Sequence, residues 1–352
     1  MILEALRYPI IQAPMAGGPS TLALALAVTN AGAMGFLATG YGRAETTRQE
    51  IRELRSNTDR PFGVNVFIPA ADHFDEQAVD VYLQTLDSEA RRYGVEVGEP
   101  RNEEDEWSSF FAVLVDERPP AVSFTFGCPA AQEIAELQAH GISVWVTVID
   151  PAEAVFAHAA GVNALIVQGV EAGGHRGGFE DRLDGEDLAL LPLLRLTAKA
   201  CDLPLIAAGG IADGPGLAAV LSAGAAAAQI GTAFMLADEA ATHPAHREAL
   251  ATSAATGLTR AFSGRQARGI VNRFQVDHAD APRAYPQIHY ATSPLRAQAR
   301  KLGDSDGFNL WAGQAHSLAK ARPAAEIVEG IAAGAAAALE DATARVVGKG
   351  DG

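Results

Sequence analysis

Leu205-Ile206-Ala207-Ala208-Gly209-Gly210-Ile211-Ala212-Asp213-Gly214 is a short apolar run that breaks into a glycine turn. Ala228-Gln229-Ile230-Gly231-Thr232-Ala233-Phe234 follows as a second run ending in a small polar turn. Neither alternates apolar with polar residues. Such strands are buried on both faces, as in a parallel sheet wrapped by helices. Runs of the same kind precede this pair near Pro9–Gln12, Met34–Leu37, Phe62–Phe67, Ala121–Thr125, Ser143–Val148 and Ala164–Gln168. The pair is therefore the seventh and eighth in a series of eight. Helix-length segments lie between the runs, among them Thr21–Asn30, Ala44–Ser56, Ala130–Ala139, Pro151–Ala159 and Gly216–Ala223. Eight βα steps predict an α/β protein of the (β/α)8 TIM-barrel class. The competing pattern is a doubly wound open sheet. It is weakened because no G-x-G-x-x-G follows the first strand.

Two stretches exceed a minimal barrel, 72–119 and 238–310. The first holds the helix-like Glu76–Tyr93 and the acidic run Glu103-Glu104-Asp105-Glu106, read as a solvated face. The second is rich in charge and carries Pro282, Pro286 and Pro294. Insertions that follow strands lie at the C-terminal face of a barrel, where active sites sit. The expected division is a barrel of 1–71, 120–237 and 311–352 under a mostly helical cover of 72–119 and 238–310. Pro323–Ala344 reads as the last barrel helix, and Gly348–Gly352 is expected to fray.

The chain has 352 residues, 48% of them hydrophobic, enough for a full core. A net charge of −16 argues against a basic groove for nucleic acid or for an anionic membrane. Cys128 and Cys201 stand apart, with no disulfide framework or metal-ligand spacing, so no metal is expected. The first residues lack the pattern of a signal peptide, and the Ala/Gly tract 331–339 is too short for a membrane span. The expectation is a cytoplasmic protein, monomeric or a weak homodimer.

Strand ends should line the site. Gly209-Gly210 and Gln229-Ile230-Gly231-Thr232 end the seventh and eighth strands, whose loops bind phosphate in many barrels. Glycine amides and a helix N-terminus supply N–H donors, and Thr232 adds a hydroxyl. The first strand ends in Gln12-Ala13-Pro14-Met15-Ala16-Gly17-Gly18, small enough for a planar ring to lie against the backbone. Asn65 and Gln168 are buried amides that must be paired, either with ring heteroatoms or with nearby backbone. After the sixth strand comes Gln168-Gly169-Val170-Glu171-Ala172-Gly173-Gly174-His175-Arg176-Gly177-Gly178-Phe179. His175 in that loop either exchanges a proton or caps the loop. Arg176 either attracts an anion or faces solvent. His140, His158, His243 and His246 read as surface residues.

Together these residues resemble the nitronate monooxygenase family, bacterial class I type. The resemblance spans nearly the whole chain. It is carried by Pro9 to Gly18, Glu171 to Gly177, Gly209-Gly210, Gln229 to Thr232, and most specifically Leu310-Trp311-Ala312-Gly313-Gln314. It implies non-covalent FMN held by Asn65, Gln168, Gly173, Gly210 and Gln229 to Thr232. With Ala13, Pro14, Met15, Gly174 and Gly209 these are the expected cofactor contacts. It also implies oxidation of alkyl nitronates, such as propionate 3-nitronate, by O2 to a carbonyl compound and nitrite. His175 would orient the nitronate, or act as base toward a neutral nitroalkane. Thr125 stands where some relatives carry a second histidine. Tyr285 and Tyr290 are candidate substrate contacts from the cover. The alternative on the same barrel is an NAD(P)H-dependent FMN reductase of the enoyl-acyl-carrier-protein or quinone type. No motif announces the nicotinamide site that it would need.

Overall fold

The computed structural model describes residues 2–40, 42–69, 74–102, 107–182 and 187–347. The acidic run 103–106 and the tail 348–352 lie outside these residues. Eight parallel strands form one sheet: β1 (Ile10–Gln12), β2 (Phe36–Ala38), β3 (Gly63–Phe67), β4 (Ala121–Thr125), β5 (Ser143–Val148), β6 (Ala164–Gln168), β7 (Leu205–Ala208) and β8 (Ala227–Ile230). Their order is β1-β8-β7-β6-β5-β4-β3-β2. A parallel bridge from Ile11 to Met34 brings β1 beside the residues before β2 and completes the ring. The chain is a (β/α)8 barrel.

Both faces of each strand are buried, which is why the runs do not alternate in the sequence. Val64, Val66, Leu165 and Val167 point outward into the layer beneath the helices. Ile11, Phe36, Trp145, Ile166 and Ile206 fill the interior, with the Phe36 and Trp145 rings 5.5 Å apart. The period of two along a strand then turns Asn65 and Gln168 to the inside, at the mouth.

The helices begin where local chemistry allows. Thr21 caps α1 (Leu22–Asn30) by accepting from the Leu24 amide at 2.9 Å. Asp150 caps α7 (Pro151–Ala160), which opens on proline and stops at Gly161, φ 94°. The helix after β7 starts earlier than the expected Gly216. Asp213 accepts from the Gly216 amide at 2.9 Å and starts α9 at Gly214 (Gly214–Ser222). α9 packs on the long α13 (Ala324–Val347). A Cβ on Gly214 would lie 2.3 Å from a Gly334 carbonyl carbon. The Ala/Gly tract therefore serves close helix packing. No helix among the described residues is long and apolar enough to cross a membrane.

Within 72–119, the helix-like stretch is two helices, α3 (Glu76–Thr85) and α4 (Asp87–Tyr93), parted at Leu86. Both pack into the cover core with Phe262, Phe274, Ile288 and Leu295. α5 (Trp107–Glu117) instead joins the barrel wall beside α2 (Ala44–Asn57). There the buried Glu117 carboxylate accepts from Arg48 at 3.1 Å and Arg52 at 2.9 Å. The stretch 238–310 supplies α10 (Pro244–Leu250), α11 (Arg273–Asp277) and α12 (Gln287–Leu302). It also supplies an antiparallel pair that the sequence reading lacked, β9 (Thr256–Thr259) and β10 (Ala267–Ile270). β10 pairs in turn with Gly174–His175, Ala267 opposite His175. The histidine loop is thus stitched to the cover.

Candidate active site

One cavity of about 560 Å³ opens at the C-terminal ends of the strands, between barrel and cover. That is ample for a cofactor-sized ligand. It collects Ala13, Pro14, Met15, Asn65, Gln168, Gly173, Gly174, His175, Gly209, Gly210, Gln229, Gly231 and Thr232 from the ends of different strands. Ile230 is the exception among the expected contacts. It lies a single step from Gln229 on β8, so its side chain turns outward and is buried beneath the helices. Its backbone still matters, since its carbonyl accepts from the Ala13 amide at 2.8 Å.

The wall on the barrel side is backbone and amide. Gly209 and Gly210 take φ of 116° and 67°, and Gly174 takes 75°, a region that suits glycine. Thr232 accepts from the Gly313 amide at 3.0 Å, which ties the loop after β8 to the segment 310–314. Gly173 lies against that segment, and a Cβ there would stand 2.5 Å from the Gly313 nitrogen. The Asn65 Oδ1 accepts from the Ser123 and Thr125 hydroxyls at 2.8 and 3.0 Å. Its amide nitrogen is left as a donor on the cavity side. Gln168 has taken the backbone pairing. Its Nε2 donates to the His175 carbonyl at 3.0 Å, and its Oε1 accepts from the Gly177 amide at 2.8 Å. A second hydrogen on that nitrogen remains. The Gln229 Oε1 is buried with no hydrogen-bond partner among the described residues. A buried orphan acceptor at a cavity wall asks for a donor from a ligand.

Arg176 takes neither role considered above. It is buried, and its Nη1 donates to the carbonyls of Gln168 and Gly169 at 3.2 and 3.0 Å. It fixes the shape of the loop. Arg265 is buried across from it, donating to the Arg176 carbonyl at 3.3 Å, with its guanidinium 4.2 Å above the Phe126 ring.

His175 sits among three rings: Phe126 at 5.8 Å, Tyr285 at 5.8 Å and Trp311 at 5.6 Å. Its Nε2 lies 2.9 Å from the Ser263 hydroxyl, which donates to the Arg265 carbonyl at 3.2 Å. When that hydroxyl gives its proton to the Arg265 carbonyl, Nε2 carries the ring hydrogen and donates to Ser263, which leaves the lone pair on Nδ1, an atom with no hydrogen bond among the described residues. Burial, then the positive charges of Arg265 and Arg296, pull the imidazole down to about 3. His175 is therefore a neutral hydrogen-bonding group at ordinary pH.

Several cavity residues escaped the sequence reading. Phe126 holds a positive φ of 74°, uncommon for an aromatic residue and typical of functional sites. His243 and His246, read as surface residues, line the cavity, as do Arg300 and Asn309. One signal was available. Arg296 and Arg300 lie four residues apart on α12, on the face that carries Ile288, Thr292 and Ala299. Charged residues on the buried stripe of a helix mark a polar cavity or a paired charge. Of the two candidate tyrosines, Tyr285 backs the His175 ring, while the Tyr290 ring lies under Arg101 at 4.3 Å. Among the described residues lining the cavity there is no Asp or Glu, in a chain of net charge −16.

This geometry has counterparts. The family model described as Nitronate monooxygenase matches residues 2–334. A nitronate monooxygenase of Paraburkholderia phytofirmans is 44% identical over 332 residues, covering 91% of this chain and 90% of that protein. One of Pseudomonas aeruginosa is 43% identical, covering 93% of this chain and 95% of its own. A solved nitroalkane oxidase from Streptomyces ansochromogenes superposes with a TM-score of 0.94 at 48% identity, covering 97% of this chain and 99% of the other. The barrel, the glycine-lined strand ends and the histidine loop all fall within the matched residues, and the chain belongs to the nitronate monooxygenase family.

Proposed function

We propose that this enzyme oxidises alkyl nitronates, propionate 3-nitronate among them, with O2 to a carbonyl compound and nitrite, using non-covalently bound FMN. The observation that carries the reading is the cavity's charge pattern: no carboxylate among the described lining residues, glycine turns with left-handed backbone at β7, and a neutral histidine. Such a cavity suits two anions, a phosphate-bearing cofactor and a nitronate.

The residues fit FMN. Gly209-Gly210 and Gly231-Thr232 would take the phosphate. The Asn65 amide nitrogen and the second Gln168 hydrogen would meet acceptors on the pyrimidine edge, and Ala13-Pro14-Met15 would underlie the ring. The orphaned Gln229 Oε1 would accept from a ligand hydroxyl or N–H. Bound flavin supplies the redox chemistry, passing electrons between nitronate and O2.

The protein supplies position and field. The lone pair and ring hydrogen of His175 are set by Ser263, and its plane is fixed by three rings. Burial keeps the imidazole neutral, and the positive charges of Arg265 and Arg296 at that end of the site add to the effect. The depressed basicity bears on the substrate. An imidazole at about 3 is a poor acceptor for a carbon-bound proton. It has no such task when the substrate arrives already ionised as a nitronate. The cover of 74–102 and 238–310 closes the cavity from water and supplies the substrate-facing wall; α5 stays with the barrel.

The test is nitrite release from propionate 3-nitronate under air, without NADH, by the purified yellow protein. Enzyme-dependent nitrite with matching O2 uptake is expected. A flavin-loaded protein that releases none, with short alkyl nitronates also tried, would instead be an NAD(P)H-dependent reductase on the same barrel.

A further inference from the structure

The helices that wall the barrel do not all meet water in the same way. α2 turns out Glu45, Gln49, Arg52, Glu53 and Arg55, and exposes no apolar residue. α7 reverses this. Its outward positions include Ala152, Val155, Phe156 and Ala159, spaced as one helical stripe, and Phe156 is 60% exposed. The next helix, α8 (Leu190–Ala200), packs against α7 and turns out Leu191, Pro192 and Leu196. Val155, Leu191 and Leu196 are each nearly half exposed. Single apolar side chains on a surface need no explanation, but a group of them on two adjoining helices marks an interaction site.

Charge sets the same face apart. The chain carries a net −16, so two copies repel each other over most of their surfaces. α8 contains no Asp or Glu. The sole carboxylate of α7, Glu153, is buried and accepts from the Ile149 and Phe179 amides at 2.8 Å. The two helices therefore expose no carboxylate. Their ionisable groups stand at the rim: His158, 3.5 Å from Asp202, and Arg195 and Lys199 toward the end of α8. Asp187 lies exposed just before the start of that helix. Charge thus runs from acid to base along α8, and an antiparallel copy of the helix would meet it with opposite signs.

We propose that the outer face of α7 and α8 pairs two copies of this chain. A two-fold axis crossing both helices lays α8 antiparallel on α8 and α7 antiparallel on α7. Leu191 then meets Leu196 of the partner subunit, and Lys199 approaches the partner's Asp187. Phe156 fills the middle of the α7 pair as an aromatic anchor. Each helix is about 15 Å long and neighbouring helices lie about 10 Å apart, so the face spans about 15 by 20 Å. That is small for a specific contact and suits a weak dimer rather than an obligate one. The face is on the side of the barrel and the cavity at its end, so pairing leaves the cavity open.

The test is sedimentation velocity of the flavin-loaded protein at rising concentration. The wild type should move from 36.7 kDa toward twice that mass, with a Kd of about 10 to 100 µM. Leu191→Glu and Leu196→Lys each set a charge against an apolar partner, and each should raise Kd at least about tenfold. Both residues are exposed, so flavin content and melting temperature should hold. An equimolar mixture of the two variants should associate again. In the mixed dimer one contact becomes an ion pair and the other stays leucine on leucine. A wild type still at 36.7 kDa at about 200 µM would overturn the proposal and leave the face to a different protein. A dimer that both variants leave intact would overturn it by placing the contact elsewhere. A mixture that stays monomeric would overturn the two-fold arrangement.

Discussion

The two walls of the cavity are built from different materials. The barrel wall is glycine, proline and amide, presented by strand ends that hydrogen bonds hold in register. The cover wall is Trp311, Phe308, His243, His246 and Arg300, brought together from separate segments of the chain. A wall of backbone donors suits a cofactor that never changes. A wall of rings with polar and charged groups between them suits a substrate that must be told from its neighbours. His175 belongs to both, since it leaves β6 in a barrel loop and pairs with β10 of the cover. If this division holds, changes in one wall should cost flavin and changes in the other should cost substrate.

The largest effect is expected at the seam. His175→Asn keeps a hydrogen-bonding amide but loses the imidazole that orients the substrate, and should cut turnover about 10²-fold with the flavin retained. Activity near that of the wild type would remove His175 from the chemistry. On the barrel wall, Gly210→Asp should strip flavin. The residue takes a φ of 67°, and its Cβ would lie 3.1 Å from the Glu171 Cβ. The new carboxylate would also face the cofactor phosphate. The ratio of flavin absorbance to protein should fall several-fold, whereas full occupancy would place the phosphate elsewhere. Ser263→Ala is subtler. It leaves the His175 Nε2 hydrogen without its acceptor, so the ring can turn or change tautomer. We expect kcat to drop about tenfold with KM nearly fixed, and Ser263→Thr to restore much of it. A change confined to KM would contradict a positioning role.

The same division explains what the sequence disclosed. Strands buried on both faces leave runs that need no partner to be recognised, and β4, β5, β6 and β7 lie where the runs predicted them. Asn65 and Gln168 stand out because an amide inside such a run demands a partner. Ile230 stands a single step of the strand period from Gln229, so its side chain enters the core while its neighbour's lines the cavity. β9 was missed because Thr256-Gly257-Leu258-Thr259 has little apolar signal and gains its partner, β10, only in the folded chain. The histidines of α10 were misread for a related reason. His243-Pro244 looks like an ordinary helix start, and only the return of Phe308 and Trp311 from far along the chain sets His243 against a ring and pairs the buried His246. Cavity residues on the cover are defined by long-range contacts, and local pattern carries little of that.

The smallest expected effect concerns stability rather than turnover, and it weighs the dryness of the cover. Three imidazoles at the seam and in the cover are held far below their ordinary value of 6.5. His175 lies at about 3, His246 at about 4 and His289 at about 2, each mainly through burial. Their folded pKa values lie below those of the unfolded chain, so acid favours the unfolded chain, which binds the protons. The stabilisation is complete above pH 6.5 and is lost as the pH falls toward 4 and below. At pH 5 each group should have forfeited on the order of 2 kcal/mol. The flavin-loaded protein should therefore melt several degrees lower at pH 5 than at pH 7.5. His246→Gln can still donate to the Trp311 carbonyl but does not titrate, so it should flatten part of that slope. A melting temperature unchanged between the two pH values would mean that these imidazoles reach water in the folded state. The cover would then be an open wall.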